Sequence, residues 1–132
     1  MPNNHRKRYT VLAIDDDAWT RNILRSTLRE FADINFLDAK DPEHALTAVE
    51  REKPDIVYLD INLGGDQDGI ALLKQLRQAA PEIFIVMVTA HGTAENLKKA
   101  MELGIGGFVV KPFTGEKIAA TLKKFESVSA KQ

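Results

Sequence analysis

The sequence contains no cysteine and no long apolar run, and each of these absences excludes several classes of protein. Without cysteine the chain cannot build a disulfide scaffold, a thiolate zinc site, an iron–sulfur centre or a thiol nucleophile. No apolar segment approaches the roughly 20 residues of a membrane-spanning helix, and the basic start of the chain is not followed by the apolar core of a signal peptide. We therefore predict a soluble, cytoplasmic protein that does not bind membranes.

The chain also has no large excess of positive or negative charge, because it contains 18 lysines and arginines and 19 aspartates and glutamates. This balance argues against a general nucleic-acid binder. The chain has 132 residues, of which 44% are hydrophobic, enough for one domain with its own core. We predict a flexible basic tail over residues 1–8, a domain over residues 9–126 and a short tail over residues 127–132.

Short apolar runs alternate with stretches of helical periodicity along the whole domain. The runs are rich in β-branched and aromatic residues and mostly continuous, which is typical of strands covered on both faces of a parallel sheet. They lie at Tyr9–Ile14, Ile34–Leu37, Ile56–Leu59, Ile83–Val88 and Phe108–Val110. Asp41-Pro42 predicts a helix start and Gly104 a helix end. The alternation predicts a three-layer α/β/α sandwich with five parallel strands.

Polar residues of complementary chemistry follow four of the five predicted strands. Asp15-Asp16-Asp17 follows the first strand, Asp60 the third, Thr89-Ala90 the fourth and Lys111-Pro112 the fifth. Open α/β sheets bind ligands beyond the carboxyl ends of their strands. Each acid alone is also explained as a helix cap, as Asp16 or Asp17 would be for the first helix. The joint occurrence of these groups favours a functional site.

The charges at this edge predict the chemistry of that site. Several carboxylates close together repel one another unless a cation is present. An oxygen-only ligand set points to a hard ion such as Mg²⁺, which commonly shares carboxylate and phosphate oxygens. With a lysine and a threonine beside them, the acids predict a phosphoryl site in which an aspartate serves as the nucleophile.

The four motifs VLAIDDD, VYLDINL, VMVTAHG and FVVKPF, in this order and at these separations, resemble the receiver domain of CheY-like two-component response regulators. The resemblance spans about Tyr9 to Phe125. It implies a flavodoxin-like sheet of order 2-1-3-4-5. It also implies a phosphoprotein that takes part in phosphorelay signal transduction.

The resemblance further assigns roles to residues of the motifs. Asp60 is the expected phosphoryl acceptor. Asp15, acting through water, and Asp16, as a direct ligand, are expected to hold Mg²⁺ together with Asp60 and the backbone carbonyl of Asn62. Thr89 and Lys111 are expected to contact the phosphoryl group.

The family's switch and its cis peptide bond also have counterparts in the sequence. The bond between Lys111 and Pro112 resembles the family's cis peptide. Thr89 and Phe108 resemble its switch pair, although Phe108 is also explained as a core residue. The changed surface is expected on the face formed by the fourth helix, the fifth strand and the fifth helix.

The sequence departs from the family pattern in a few places. The loop from Asn62 to Gly69 lacks the common Met-Pro and is one residue longer than usual. Gly106-Gly107 stands where an acidic pair is common. Asn62 and His91 occupy the two positions that, in the family, tune the lifetime of the phosphoryl group, although His91 is equally explained as an ordinary exposed histidine.

The function implied is a receiver that accepts a phosphoryl group on Asp60 from a sensor histidine kinase or histidine phosphotransfer protein. It then binds a downstream protein partner or relays the phosphoryl group onward. We expect a monomer or weak dimer. It is not expected to be an enzyme beyond catalysing the phosphorylation and dephosphorylation of its own aspartate. The chain is alternatively a receiver domain excised from a longer response regulator or hybrid kinase.

Three other functions fit less well. A phosphohydrolase of haloacid-dehalogenase type needs a second aspartate where Asn62 stands. A pseudo-receiver that serves only as a binding surface usually lacks the acceptor, the acid pair or the lysine. A phosphohistidine carrier would need a helical-bundle context that His5, His44 and His91 do not have.

Overall fold

The computed structural model describes residues 8–63 and 68–129. Within them, five strands alternate with five helices. The strands are β1 (Arg8–Ile14), β2 (Asp33–Ala39), β3 (Ile56–Leu59), β4 (Phe84–Thr89) and β5 (Gly107–Val110). The helices are α1 (Ala18–Phe31), α2 (Pro42–Glu52), α3 (Gly69–Ala79), α4 (Ala94–Leu103) and α5 (Gly115–Ser129). The predicted alternation is confirmed.

The strands form one parallel sheet of order β2-β1-β3-β4-β5. The register aligns the strand ends: Ile14 pairs with Ala39 on one side and with Leu59 on the other, and Thr89 pairs with Val110. Because all strands run in the same direction, their carboxyl ends lie along one edge. The predicted flavodoxin-like, three-layer architecture is thus confirmed.

Two apolar layers cover the faces of the sheet. Alternate residues of β1 point to opposite layers, so Leu12 packs with α2, α3 and α4, whereas Val11 packs with α1 and α5. Both side chains are fully buried. Strands buried on both faces account for the continuous apolar runs in the sequence.

The helix ends follow from local sequence signals. Asp41 caps α2 by accepting a hydrogen bond from the His44 backbone N–H (2.8 Å), with Pro42 in the first turn. Gly104 ends α4 in a left-handed conformation (φ 94°), which glycine adopts without steric cost. Of the two aspartates considered as caps of α1, Asp17 takes that position and accepts from the Trp19 N–H.

The chain ends differ slightly from the predicted boundaries. Arg8, placed in the tail by the sequence analysis, begins β1 beside Asp33. Helix α5 continues to Ser129, because no proline or glycine interrupts it after Gly115. The rest of both predicted tails, residues 1–7 and 130–132, lies outside the described residues. No helix in the described part of the chain is long and apolar enough to cross a membrane.

Candidate functional site

Side chains from four strand ends meet at one edge of the sheet. Asp15 follows β1, Asp60 follows β3, Thr89 ends β4 and Lys111 follows β5. The sheet's hydrogen bonding continues beyond the strands: the Asp60 N–H donates to the Ile14 carbonyl (3.0 Å), and the Lys111 N–H donates to the Thr89 carbonyl (2.8 Å). The backbone of the sheet therefore fixes where these side chains start.

Three carboxylates form the centre of the site. One oxygen each from Asp15, Asp16 and Asp60 lies within 4.8 Å of the other two. Asp15 is 2% exposed and Asp60 is 6% exposed, whereas Asp16 is open to solvent. The site is therefore a negatively charged cluster with two buried acids and one that is open to solvent.

The Lys111 ammonium lies between the two buried acids. Its Nζ donates to Asp15 Oδ2 at 2.7 Å and to Asp60 Oδ2 at 3.2 Å. Burial by itself lowers the pKa of Lys111, but the hydrogen bond and charge of Asp15, followed by those of Asp60, outweigh it and hold the pKa above its ordinary value. The amine therefore stays charged. The peptide bond between Lys111 and Pro112 is cis.

The charged form of Asp15 remains disfavoured despite this lysine. Burial raises the pKa of Asp15; the hydrogen bond from Lys111 and the bond from the Asp17 N–H (2.9 Å) lower it only in part, and the charge of Asp60 raises it further. One ammonium faces three carboxylates. A divalent cation would relieve this imbalance.

The donor set suits Mg²⁺. All three side chains offer oxygen, the ligand type that Mg²⁺ prefers. Ligand oxygens about 2.1 Å from an octahedral ion lie roughly 3–4 Å apart, so oxygens within 4.8 Å of one another need only a small closure. Asn62 lies beside them, with its backbone N–H donating to Asp60 Oδ1 (3.2 Å).

Thr89 and Phe108 lie on the neighbouring strands β4 and β5. The fully buried Thr89 hydroxyl oxygen accepts a hydrogen bond from the His91 backbone N–H (3.1 Å). Phe108 is half-buried and packs against the apolar layer formed with α2, α3 and α4. It pairs with Met87 across β4 and β5, two residues before Thr89.

Asn62 and His91 contact each other across the site. The Asn62 side-chain amide lies 3.3 Å from His91 Nε2. The Asn96 side chain donates to the His91 carbonyl (2.8 Å), which ties this loop to the first turn of α4. The two positions that flank the site in sequence are therefore neighbours in space.

The loop after Asp60 is described only at its two ends, because residues 64–67 lie outside the described residues. At its far end Asp68 caps α3. The Gly69 N–H donates to the Ile61 carbonyl (2.6 Å), and a Cβ at Gly69 would lie 2.2 Å from the Asp60 carbonyl oxygen. Only glycine allows this close approach behind Asp60.

Arg21 contacts the site, although the sequence did not predict it as a site residue. Its Nη1 donates to the Asp15 backbone carbonyl (2.6 Å) and its Nε to Asp38 Oδ2 (2.9 Å). An arginine one turn into the helix that follows an acid run, with an acid near the end of the neighbouring strand, is the signal that was available.

An apolar groove borders the site on the side of α1. It encloses about 430 Å³ and is lined by Trp19, Ile23, Lys111, Pro112 and Phe113, among others. Trp19 is 72% exposed. The tryptophan therefore lies near the acid edge and outside the core.

Comparison with known proteins places this geometry in a family context. The family model described as "Response regulator receiver domain" matches residues 11–123. The chain is 35% identical to the Chemotaxis protein CheY-3 of Vibrio cholerae over 89% of this chain and 88% of that protein. It is 33% identical to the Phosphate regulon transcriptional regulatory protein PhoB of Pseudomonas aeruginosa, over 86% of this chain and 50% of that protein.

Solved structures agree with the sequence comparison. The receiver domain of NtrX from Brucella abortus superposes with a TM-score of 0.82 at 30% identity, covering 89% of this chain and 98% of that one. A longer NtrX chain of the same organism also matches, with a TM-score of 0.83 at 28% identity over 95% of this chain, but only 28% of that chain is covered.

Proposed function

Because the chain belongs to the family of response regulator receiver domains of two-component systems, we propose that Asp60 accepts a phosphoryl group from a sensor histidine kinase or a histidine phosphotransfer protein. The observation that carries this proposal is the contact of Lys111 with both Asp15 and Asp60 inside the carboxylate cluster. The buried Asp60 carboxylate therefore lies beside a fixed ammonium, at the edge of the sheet where Asp16 is open to solvent.

The reaction requires few groups from the protein. An Asp60 carboxylate oxygen forms a bond to phosphorus while the bond from phosphorus to the donor's imidazole nitrogen breaks, and that nitrogen keeps the electron pair. Lys111 would attract a phosphoryl oxygen, and the Thr89 hydroxyl would donate to another. Catalysis of such a transfer rests mainly on positioning and charge.

Asp15, Asp16, Asp60 and the Asn62 carbonyl are the groups that would hold Mg²⁺. The bound ion would neutralise charge on the phosphoryl oxygens. Asp15 is positioned by Lys111 and by the Asp17 N–H. This arrangement supports the roles proposed for the acid pair.

The switch that follows would start at Thr89. Its hydroxyl oxygen accepts from the His91 N–H, and the hydroxyl would donate its own hydrogen to the phosphoryl group. Phe108 would then turn into the space behind it. The adjoining face of α4, β5 and α5 exposes Leu97, Met101 and Val110, which suits a downstream protein partner.

The remaining expectations belong to the same proposal. The protein would act in the cytoplasm as a monomer or weak dimer, without contacting membranes or nucleic acid. It would catalyse only the phosphorylation and dephosphorylation of its own aspartate. The presence of acceptor, acid pair and lysine in one cluster supports this function over that of a pseudo-receiver.

Intact-mass spectrometry after incubation with acetyl phosphate tests the proposal. The chain should gain one phosphoryl group only when Mg²⁺ is present, and Asp60→Asn should gain none. Asp55→Asn is the matched control, because Asp55 precedes β3 at the opposite edge of the sheet and Asn keeps an acceptor for the Thr10 N–H. This control should be phosphorylated normally.

Two other outcomes of this experiment would contradict phosphorylation of Asp60. An adduct that persists in Asp60→Asn would place the acceptor elsewhere. An absent adduct together with no binding of beryllofluoride by the unmodified chain would contradict phosphoryl acceptance altogether, whereas beryllofluoride binding alone would indicate a short-lived phosphoryl group.

A further inference from the structure

Arg21 links three parts of the chain behind the carboxylate cluster. It lies in the first turns of α1, and its side chain is only 16% exposed. One guanidinium nitrogen binds the backbone carbonyl of Asp15 and another binds the carboxylate of Asp38 near the end of β2. The mechanism described above uses neither contact.

The contact with the Asp15 carbonyl affects the position of both Asp15 and Asp16. The Asp15 carbonyl and the Asp16 N–H belong to the same peptide unit, which is planar and rigid. Holding that carbonyl at 2.6 Å therefore fixes the plane from which the Asp16 side chain departs. Asp16 is exposed, and Arg21 anchors this peptide unit through the Asp15 carbonyl.

Asp38 in turn orients Arg21. Its carboxylate accepts from Nε at 2.9 Å, which leaves Nη1 directed at the Asp15 carbonyl. Arginine is suited to this task because its donors form a rigid planar fork. The neighbouring strand end thus aligns the arginine, and the arginine aligns the acid pair.

We propose that Arg21 is a positioning residue that sets the affinity of the acid pair for Mg²⁺ by fixing the peptide unit between Asp15 and Asp16. The inference rests on the proposed function, since it assigns Mg²⁺ to these acids. Partners that orient ligands in this way typically change metal affinity by about 10–100-fold when they are lost.

The charge of Arg21, taken alone, predicts the opposite change in Mg²⁺ affinity. Arg21 is a cation near a site for another cation, so its removal should strengthen Mg²⁺ binding if only long-range electrostatics mattered. Positioning predicts weaker binding. The direction of the change therefore separates the two explanations.

Calorimetric titration of Mg²⁺ at constant ionic strength tests the proposal on the whole chain. Arg21→Met should raise the Mg²⁺ Kd about 10-fold. Arg21→Lys keeps the charge but cannot bridge both partners, so it should raise the Kd by a smaller factor. Arg25→Met, which removes a cation one turn further along α1, should leave the Kd unchanged or slightly lower.

Melting of the metal-free variants distinguishes positioning from a role in folding. A purely structural Arg21 would lower the melting temperature in Arg21→Lys without changing its Mg²⁺ Kd, which would overturn the proposal, as would unchanged or tighter Mg²⁺ binding by Arg21→Met. If Arg21→Met does not fold, Arg21→Lys and Asp38→Asn decide the question.

The wild-type titration keeps this test separate from that of the proposed function. A wild-type chain that binds no Mg²⁺ would overturn both proposals. A wild-type chain that binds Mg²⁺, with an equal Kd in the foldable variants, would overturn only the role of Arg21.

Discussion

Two buried polar groups lie two residues apart in and after β3, and they are stabilised in opposite ways. Tyr58 is 1% exposed, and its hydroxyl lies 2.9 Å from the Thr121 hydroxyl. The Thr121 hydroxyl donates to the Ile118 carbonyl (2.6 Å), so Tyr58 must donate to Thr121. This cluster is neutral, and its hydrogen bonds are complete within the protein.

Asp60 belongs to the other kind of group. It is charged, shares one lysine with Asp15 and lies near a third carboxylate. The pKa of Asp15 is raised in the folded protein. Asp15 therefore contributes stability below its ordinary pKa, where it is protonated, and this stability is lost as the pH rises through the raised pKa. A neutral, satisfied cluster stabilises the fold, whereas an unbalanced charged cluster keeps an electrostatic deficit that a ligand can relieve.

The largest expected effect comes from the lysine of the charged cluster. Lys111→Met should slow phosphorylation by acetyl phosphate about 100-fold or more, because a fixed donor to the transferring group is lost. The rate is measured by intact mass in saturating Mg²⁺. Lys117→Met, at an exposed position of α5, serves as control, and a Lys111→Met rate within a few-fold of wild type would contradict the role of Lys111.

The next effect is alkaline destabilisation through Tyr58. Burial raises the pKa of Tyr58 from 10.0 to about 12. A raised folded-state pKa gives stability that is present below pH 10 and is lost as the pH rises toward 12. We expect on the order of 2 kcal/mol to be lost across this range.

Urea unfolding of wild type and Tyr58→Phe at pH 8 to 11.5 measures this contribution. Lys111 and Tyr9 also have raised pKa values, so the difference between the two proteins isolates Tyr58. Identical pH profiles would refute the assignment.

A smaller effect is expected for the neutral cluster at neutral pH. Tyr58→Phe should lower the free energy of unfolding by about 1 kcal/mol, since one buried hydrogen bond is lost. The Mg²⁺ affinity should not change. Tyr9→Phe, which removes an exposed bond to Glu126, should cost less, and an equal cost for both variants would remove the contrast with Tyr58.

The smallest effect is a stabilisation. Asp16→Asn should raise the melting temperature of the metal-free protein by about 1–2 °C, because an exposed member of the carboxylate cluster loses its charge. It should also reduce the stabilisation by added Mg²⁺. Asp33→Asn, at the opposite edge of the sheet, is the control; a lower melting temperature for Asp16→Asn would show that the cluster is not under repulsion.

The sequence predicted the strands, the cap at Asp41 and the stop at Gly104 because these depend on neighbouring residues. It also placed Asp15, Asp60, Thr89 and Lys111 at one edge. Parallel strands make that step possible, since residues that follow such strands must end up on the same side of the sheet.

Contacts between distant residues were not predictable in this way. Arg21 and Asp38 are 17 residues apart and Tyr58 and Thr121 are 63 apart. Each pair depends on how a helix is set against the sheet. Neither charge nor polarity in the sequence specifies a partner at such distances.

Gly106 shows the same limit for a single residue. The Gly106-Gly107 pair has no explanation in the sequence alone. A Cβ at Gly106 would lie 2.3 Å from the ring of Phe84, and that ring packs edge-on against Phe125 of α5. The absence of a side chain at Gly106 therefore makes room for a ring of β4.

The sequence by itself determined the order of elements, the two faces of each strand and the four polar strand ends, because backbone periodicity and chain direction decide them. Only the tertiary structure decided which ammonium lies between which acids, which hydroxyl accepts from Tyr58 and which arginine anchors Asp15. Those choices depend on distances of a few ångströms between segments far apart in the chain, and packing of the helices on the sheet sets these distances.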